Sequence, residues 1–456
     1  MTIARRTFLG AGALATLWTA LAPKTGSGAP ALEPDGFRLI EAGPAPAKVA
    51  PGAGEIHGLG YDGETPGPML RLRLGDELKL RLLNKLDLPT TLHWLGLRIS
   101  NSSAGIGDLT QPAVAPGDHF DCVLKPPDAA FALYRPHWGK NAGAQIARGL
   151  YGPIVVEEAL PPQIDLEAIV ALQDWRLDHD GGLDEGPLKP GEERLGGVIG
   201  ANGALTPLAL SPPPRGRVRL RLANASVARI MTIAIDGVRP TIIAVDGQPS
   251  EPFEPLRNQF PVGPGARFEL MFDMPPELGA AVRFILKGGE ASPIADEPDR
   301  PMLIFTAAGE AAPARPPFPG LPPNPLLPKE IDLARAQRID IAFAGGGGAP
   351  LTLNGESIAL PWPEKPLFRA ARRAPVTLGL INKTSTIKAV RIGGHVGRLL
   401  HPLDDGWEPY WRDNVLIAPG KTAHIAFVAD NPGKWPIESA DPDVAAAGLR
   451  TFFEVA

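Results

Sequence analysis

The stretch NPGKWPIESADPDVAAAGLRTFFEV, residues 431–455, decides how the rest of the chain is read. Trp435, Gly448 and the run TFFEV at 451–455 are what a strand and a closing strand need to pack in a β-sandwich, and the segment between them reads as the loop that joins them. Working outward from this stretch, short apolar runs recur throughout the chain and are separated by turn residues. Gly (52) and Pro (53) are abundant and only 21% of the residues are charged, which favours many short strands over long helices. The expected fold class is all-β. The 456 residues suffice for several domains. A formal net charge of -5 offers no electrostatic basis for nucleic-acid binding or for a basic membrane-surface patch.

One pattern occurs three times: a strand, an Asn-containing turn, then another strand. It reads LRLLNKLDLPTTL at 80–92, LRLANASVARI at 220–230 and LGLINKTSTIKAV at 378–390. Three copies of one sandwich are the simplest account, because each copy can bury alternating positions between two sheets. The expected units are 32–158, 159–308 and 336–456, the last two joined by the Pro-rich, extended linker 309–335 containing AAPARPPFPGLPPNPLLP. Residues 1–31 carry Arg5-Arg6, then Phe8, Leu9 and an apolar stretch ending near Ala22. That is the form of a twin-arginine export signal, cleaved near Ala29 or Ala31, and its apolar run is shorter than the ~20 residues a membrane span needs. The expected location is therefore the periplasm, reached through the twin-arginine export machinery, with no transmembrane span in the mature chain. Such a route raises the expectation of a cofactor inserted before export. The single cysteine, Cys122, permits no internal disulfide, and its alternating context HFDCVLKP reads as a buried strand position.

ETPGPMLRLRLGDELKLRLLNKL, TTLHWLGLR, QIARGLYGPIVVEE, RDNVLIAPGKTAHIAFVADNPGKW and AAAGLRTFFEV together resemble the laccase-like multicopper oxidases over essentially the whole mature chain. The resemblance implies three cupredoxin-like Greek-key β-sandwich domains. It also implies four coppers: one taking electrons from substrate through a Cys thiolate, and three reducing dioxygen. Imidazole and thiolate donors suit copper. In that family the ligands come in four motifs. The first, H-W-H-G, falls on His93-Trp94-Leu95-Gly96 and the second, H-x-H, on Arg135-Pro136-His137. The third, H-P-x-H-x-H-G, falls on 388–394, with Lys388, Arg391 and Gly393 in the ligand positions. The fourth, W-x-x-H-C-H-x-x-x-H-x-x-x-x-M, aligns without a gap from Trp435 to Leu449 and puts Glu438, Ser439, Ala440, Val444 and Leu449 in the ligand positions.

Only His93 and His137 remain of the family's histidines, and serine stands in place of the thiolate. His119, His395, His401 and His424 lie outside the ligand positions. Arg135, Lys388 and Arg391 put cations where neutral imidazoles would hold a dication, which opposes metal binding. The expectation is an ion-paired plug between the first and third units, made by Glu438 with these basic groups and Asp441 or Asp443. Trp94, Trp138, Trp175, Trp407, Trp411 and Trp435 are read as core and interdomain packing, and GGGG at 345–348 as a turn. No G-x-S-x-G or H-E-x-x-H motif is present.

The resemblance therefore implies a copper-free member similar to the SufI/FtsP-type proteins: no catalytic residues, no cofactor, and a structural or protein-interaction role in the cell envelope linked to division, with an envelope or periplasmic protein as partner. The alternative is an oxidoreductase or metal-handling protein with a residual copper at His93 and His137. A third reading is an anion binder lined by Arg135, Lys388 and Arg391.

Overall fold

The structure is a computed structural model that describes residues 33–47, 56–180, 182–184, 186, 188, 192–358, 361–401 and 406–456; the expected export signal at 1–31 lies outside them. The fold is all-β, built as three two-sheet units. Strands between 38 and 157 form two four-stranded sheets, those between 166 and 306 a seven- and a five-stranded sheet, and those between 337 and 455 a six- and a five-stranded sheet. In each unit the first strand runs parallel to the strand bearing the recurrent Asn: Arg38–Ala47 beside Leu78–Asn84, Leu166–Trp175 beside Arg217–Asn224, and Gln337–Gly346 beside Pro375–Asn382. Each Asn strand then pairs antiparallel with the same kind of partner, His119–Leu124, Arg267–Asp273 or Thr422–Val428.

The recurrence has a chemical cause. Asn84, Asn224 and Asn382 are fully buried, and each closes its turn in the same way. The Asn382 amide donates to the carbonyls of Thr386 (2.9 Å) and Ile417 (2.8 Å) and accepts from the backbone N–H of Thr384 (2.9 Å). Asn84 donates to Leu88 and Val114 and accepts from Leu86, while Asn224 donates to Arg229 and Val262 and accepts from Ser226. One side chain thus satisfies backbone groups that the sandwich rim would otherwise bury unpaired. Replacing Asn382 by Ala is expected to cost about 1–3 kcal/mol in chemical denaturation, the range for a buried polar group left without a partner.

Each unit has its own apolar core. The third also takes in Ala104 and Ile106 from the first, so these two units are packed as one block. Between the first and second units lies a further apolar layer including Leu95, Phe131, Tyr151, Ile169 and Ala223. Arg217–Asn224, whose alternation of Arg with Leu or Val suggests one wet face, is buried on both. Its Val218, Leu220 and Leu222 enter the core, while Arg219 and Arg221 pair with Glu158, Glu167 and Glu269 against the first unit. The segment 309–335 contains no strand or helix; its Asn324 amide donates to Asp128 of the first unit and Gln248 of the second, both at 2.8 Å. Cys122 is buried and burial pushes its thiol up to about 12, which makes it inert packing. Gly345–Gly348, all at positive φ, form the turn of a hairpin. Among the described residues, no helix is long and apolar enough to cross a membrane.

Candidate functional site

Two strands of the first unit meet three of the third where the units touch. In the first unit, His93–Leu95 runs antiparallel to Ala130–Arg135 with His93 opposite Arg135. His137 lies two residues beyond Arg135, so alternation keeps it on the same side. In the third unit, Lys388–Ile392, Gly433–Ser439 and Arg450–Val455 are neighbours, with Arg391 opposite Glu438 and Glu438 opposite Arg450. The result is a transverse row of cation, carboxylate and cation, the favourable cross-strand arrangement. Arg135, Arg391, Glu438 and Arg450 are each at most 4% exposed.

The two histidines do come together, with ring centroids 5.0 Å apart. His93 Nδ1 lies 2.7 Å from the Ala104 carbonyl and donates to it, so Nε2 is the acceptor, and the Arg391 Nη2 donor lies 3.3 Å from it. Burial, followed by the nearby His137 and Arg391, holds His93 well below the ordinary imidazole value. His137 Nε2–H donates to Glu438 Oε1 at 2.6 Å, and the ring stacks on Trp362 at 6.3 Å between centroids. Its backbone is fixed from both sides, the N–H by Thr91 Oγ1 and the carbonyl by the Gly107 N–H. A long-range proton–nitrogen spectrum is expected to show His93 neutral, with its proton on Nδ1, at pH 6.5, where an unperturbed imidazole is half protonated.

The expected plug needs correction in its partners. Glu438 bonds directly to His137, and the basic side chains surround this pair without touching the carboxylate within 4 Å in any ion pair described. Lys388 points toward the second unit, donating to Thr386 Oγ1 at 2.8 Å with Glu193 at 3.6 Å. Asp443 pairs with Arg194 of the second unit at 3.0 Å. Asp441 caps the helix Pro442–Ala446 by accepting from Asp443 and Val444, and burial, helped by Asp443, pushes it up to about 7. Around Glu438, burial alone would raise the carboxyl; His137, then Arg391 and Arg450, outweigh it and hold the group below the usual range. Burial and then the neighbouring Arg391 push Arg135 down to about 9.

The other positions are structural. Leu95 belongs to the apolar layer against the second unit, and Leu449 and Val444 pack with the third core. Gly393 has no room for a Cβ, which would lie 2.5 Å from Pro436. Ser439 Oγ accepts from the Asp441 N–H, and the Ala440 carbonyl faces Arg135 Nη2 at 3.5 Å. His395 is buried, with Nδ1 donating to Gly393 and Nε2 accepting from Asn431, and burial pushes it down to about 4. Trp94, Trp175 and Trp435 are fully buried, whereas Trp138, Trp407 and Trp411 are half-buried.

Arg450 and Trp362 are not singled out by the sequence. The Arg450 guanidinium lies 4.4 Å from the Trp362 ring centroid, a cation–π contact that also supports the ring on which His137 stacks. The signal for Arg450 is its place directly after Leu449 in the opening stretch, at the residue that a hairpin would set opposite Glu438.

These side chains do not fit a four-copper centre. Imidazole lone pairs and a thiolate suit copper; here the His93 lone pair faces a guanidinium, His137 Nε2 is bonded to a carboxylate, and Ser439 stands where the resemblance would put the thiolate. Among the described residues, no group of three or more His, Cys, Asp and Glu side chains is arranged to hold a metal ion.

Comparison with known proteins places this geometry in its lineage. Multicopper oxidase family profiles match residues 45–160, 173–279 and 330–454, one in each unit. Multicopper oxidase MmcO of Mycobacterium tuberculosis is 28% identical over an alignment covering 98% of this chain and 95% of that protein. Cell division protein FtsP of Yersinia pestis is 30% identical over 47% of this chain and 48% of that protein. The crystal structure of a multi-copper oxidase from Pseudomonas thermotolerans superposes with a TM-score of 0.78 at 30% identity, covering 92% of this chain and 98% of that one. With matches in all three units and a shared architecture along nearly the whole length, this chain belongs to the multicopper oxidase family.

Proposed function

We propose that this protein is a copper-free member of its family that works through its surface, as a structural or protein-binding component of the cell envelope, and not through oxidation of a substrate. The observation that carries the reading is the engagement of both retained imidazoles: Arg391 donates toward His93 Nε2, and His137 donates to Glu438. A copper ion at this place would have to displace a guanidinium from one and a carboxylate from the other, in a space where Arg135 and Arg450 add further positive charge. The similarity to a cell division protein, together with the twin-arginine pattern at Arg5-Arg6, supports an exported protein whose partner is another envelope protein.

The test is metal content by mass spectrometry after copper-replete expression, with a visible absorption spectrum. The expected result is copper far below one equivalent and no intense thiolate-to-copper band. Stoichiometric copper without that band would favour a residual site at His93 and His137. The band itself would overturn the assignment of Ser439 to the thiolate position.

A further inference from the structure

Beside the His137–Glu438 pair a cleft opens between the first and third units, lined by Arg135, His137, Trp138, Glu438, Ser439 and Arg450. It has room for about one water molecule. Two of its walls are buried guanidiniums with unused donors. Arg135 is 3% exposed; its Nη2 reaches only the Ala440 carbonyl at 3.5 Å, and its Nε and Nη1 have no protein partner. Arg450 is 4% exposed, and its Nε and Nη2 are likewise without a protein partner. Ser439 Oγ is engaged by the Asp441 N–H and, by alternation, lies on the strand face opposite Glu438, so the two guanidiniums are the donors on this wall. The one carboxylate lining the cleft, Glu438, gives Oε1 to His137. Positive charge and hydrogen-bond donors therefore exceed the acceptors in a place shielded from bulk water, and buried charges of this kind are normally paired. A water molecule would accept from these donors but would bring its own protons and no charge. An anion brings only acceptors.

We propose that this cleft binds one small inorganic anion of the size of chloride, held chiefly by the Arg135 guanidinium with Arg450 on its wall. The anion stands where the family's copper cluster would be and supplies the negative charge that Glu438 alone does not. This rests on the copper-free reading, since a metal at the same place would itself recruit anions. The size of the cleft selects a single-atom halide over sulfate or phosphate.

The experiment is a thermal titration of the purified full chain with sodium chloride against sodium gluconate at constant ionic strength, with metal content measured on the same sample. The expected result is a saturable rise in melting temperature with chloride and with bromide, of about the size that tenfold ligand excess over Kd produces, absent with gluconate. Anomalous diffraction from bromide-soaked crystals is expected to place the ion beside Arg135. Arg135→Met should abolish the halide response and Arg135→Lys should retain it in part. Glu438→Gln, which removes a repelling charge, should tighten halide binding about tenfold or more. A metal-free protein whose melting temperature is the same in chloride and gluconate overturns the anion site and leaves the copper-free reading standing; copper in the sample overturns the reading beneath it. A response to sulfate but not to halide overturns the choice of ion. If Arg135→Met does not fold, an unchanged halide affinity in Glu438→Gln, or bromide located elsewhere, overturns the proposal.

Discussion

Arg267→Leu is expected to lower the melting temperature by roughly 6–20 °C, the equivalent of about 3–5 kcal/mol for the loss of one partner from a buried charge cluster in a unit of 150–250 residues. Arg267 is fully buried where all three units meet. From the second unit it donates to both carboxylate oxygens of Asp413 in the third, at 3.2 and 2.7 Å, and to the backbone carbonyls of Gly265 and Asp246. Asp246, also fully buried, accepts from the N–H groups of Asp413 and Asn414. The first unit contributes Gly96, the retained glycine of its first motif, where a Cβ would lie 2.2 Å from Arg267 Nη2. A leucine in place of Arg267 removes the cation that bonds Asp413 and leaves the two carboxylates facing each other, with Arg412 4.0 Å from Asp246. Scanning calorimetry reads the loss directly. The double variant Arg267→Leu with Asp413→Asn should recover part of it, because removing both members of a buried pair costs less than removing one. No measurable loss in the single variant would show that the junction is held by apolar packing alone.

The same cluster fixes the sign of the pH dependence. Burial, followed by the neighbouring Asp413, pushes Asp246 up to about 6 even with Arg267 and Arg412 beside it. A carboxyl whose folded pKa lies above its unfolded value binds more protons when folded, so stability falls as pH rises from about 4 to 6, and the penalty is complete above that. Removing Arg267 takes away an opposing cation and moves the folded value higher still. The gap between wild type and Arg267→Leu should therefore be smallest near pH 4 and grow through neutral pH.

The legible and illegible parts of this molecule divide by the distance over which the deciding contacts act. The recurrent Asn is readable because part of its work is local: besides the distant Ile417 carbonyl, Asn382 serves Thr384 and Thr386, two and four residues away, so a short motif carries that information. The strands are readable for the same reason, through alternation along a few residues. Arg219 and Arg221 mislead a local reading, since basic residues alternating with leucine describe a half-exposed strand, and only the docking of the first unit buries them. The site shows both cases. The gapless frame from Trp435 to Leu449 locates Glu438. Its partner depends on how the first unit docks against the third, which brings together residues 301 apart in sequence, and so the sequence points to Arg135, Lys388 and Arg391 while the hydrogen bond goes to His137. Arg267, Asp246 and Asp413 sit in three separated segments, each an ordinary charged residue until the units close around them.

Glu438→Ala is the corresponding experiment at the junction of the first and third units, with an expected loss of about 3–5 kcal/mol at pH 7 in a low-chloride buffer. The carboxylate sits between Arg391 and Arg450 across neighbouring strands and holds His137 at 2.6 Å. Its removal leaves three buried guanidiniums, Arg135 included, with no acidic neighbour in the row and frees the imidazole stacked on Trp362. Because these neighbours hold the Glu438 carboxyl below its ordinary value, its contribution is complete above the unfolded pKa of about 4.3 and is lost as pH falls through the folded value. Wild type and Glu438→Gln, which keeps an oxygen able to accept from His137, should therefore differ at pH 7 and converge in acid. Adding Arg450→Met to Glu438→Ala should restore part of the stability, since the variant then lacks both an acid and one of the cations it compensated. Equal melting temperatures for wild type and Glu438→Ala at pH 7 would sink the view that this acid ties the first and third units together. A loss that chloride reverses would mean that an anion in the adjoining cleft can take over the charge that Glu438 provides.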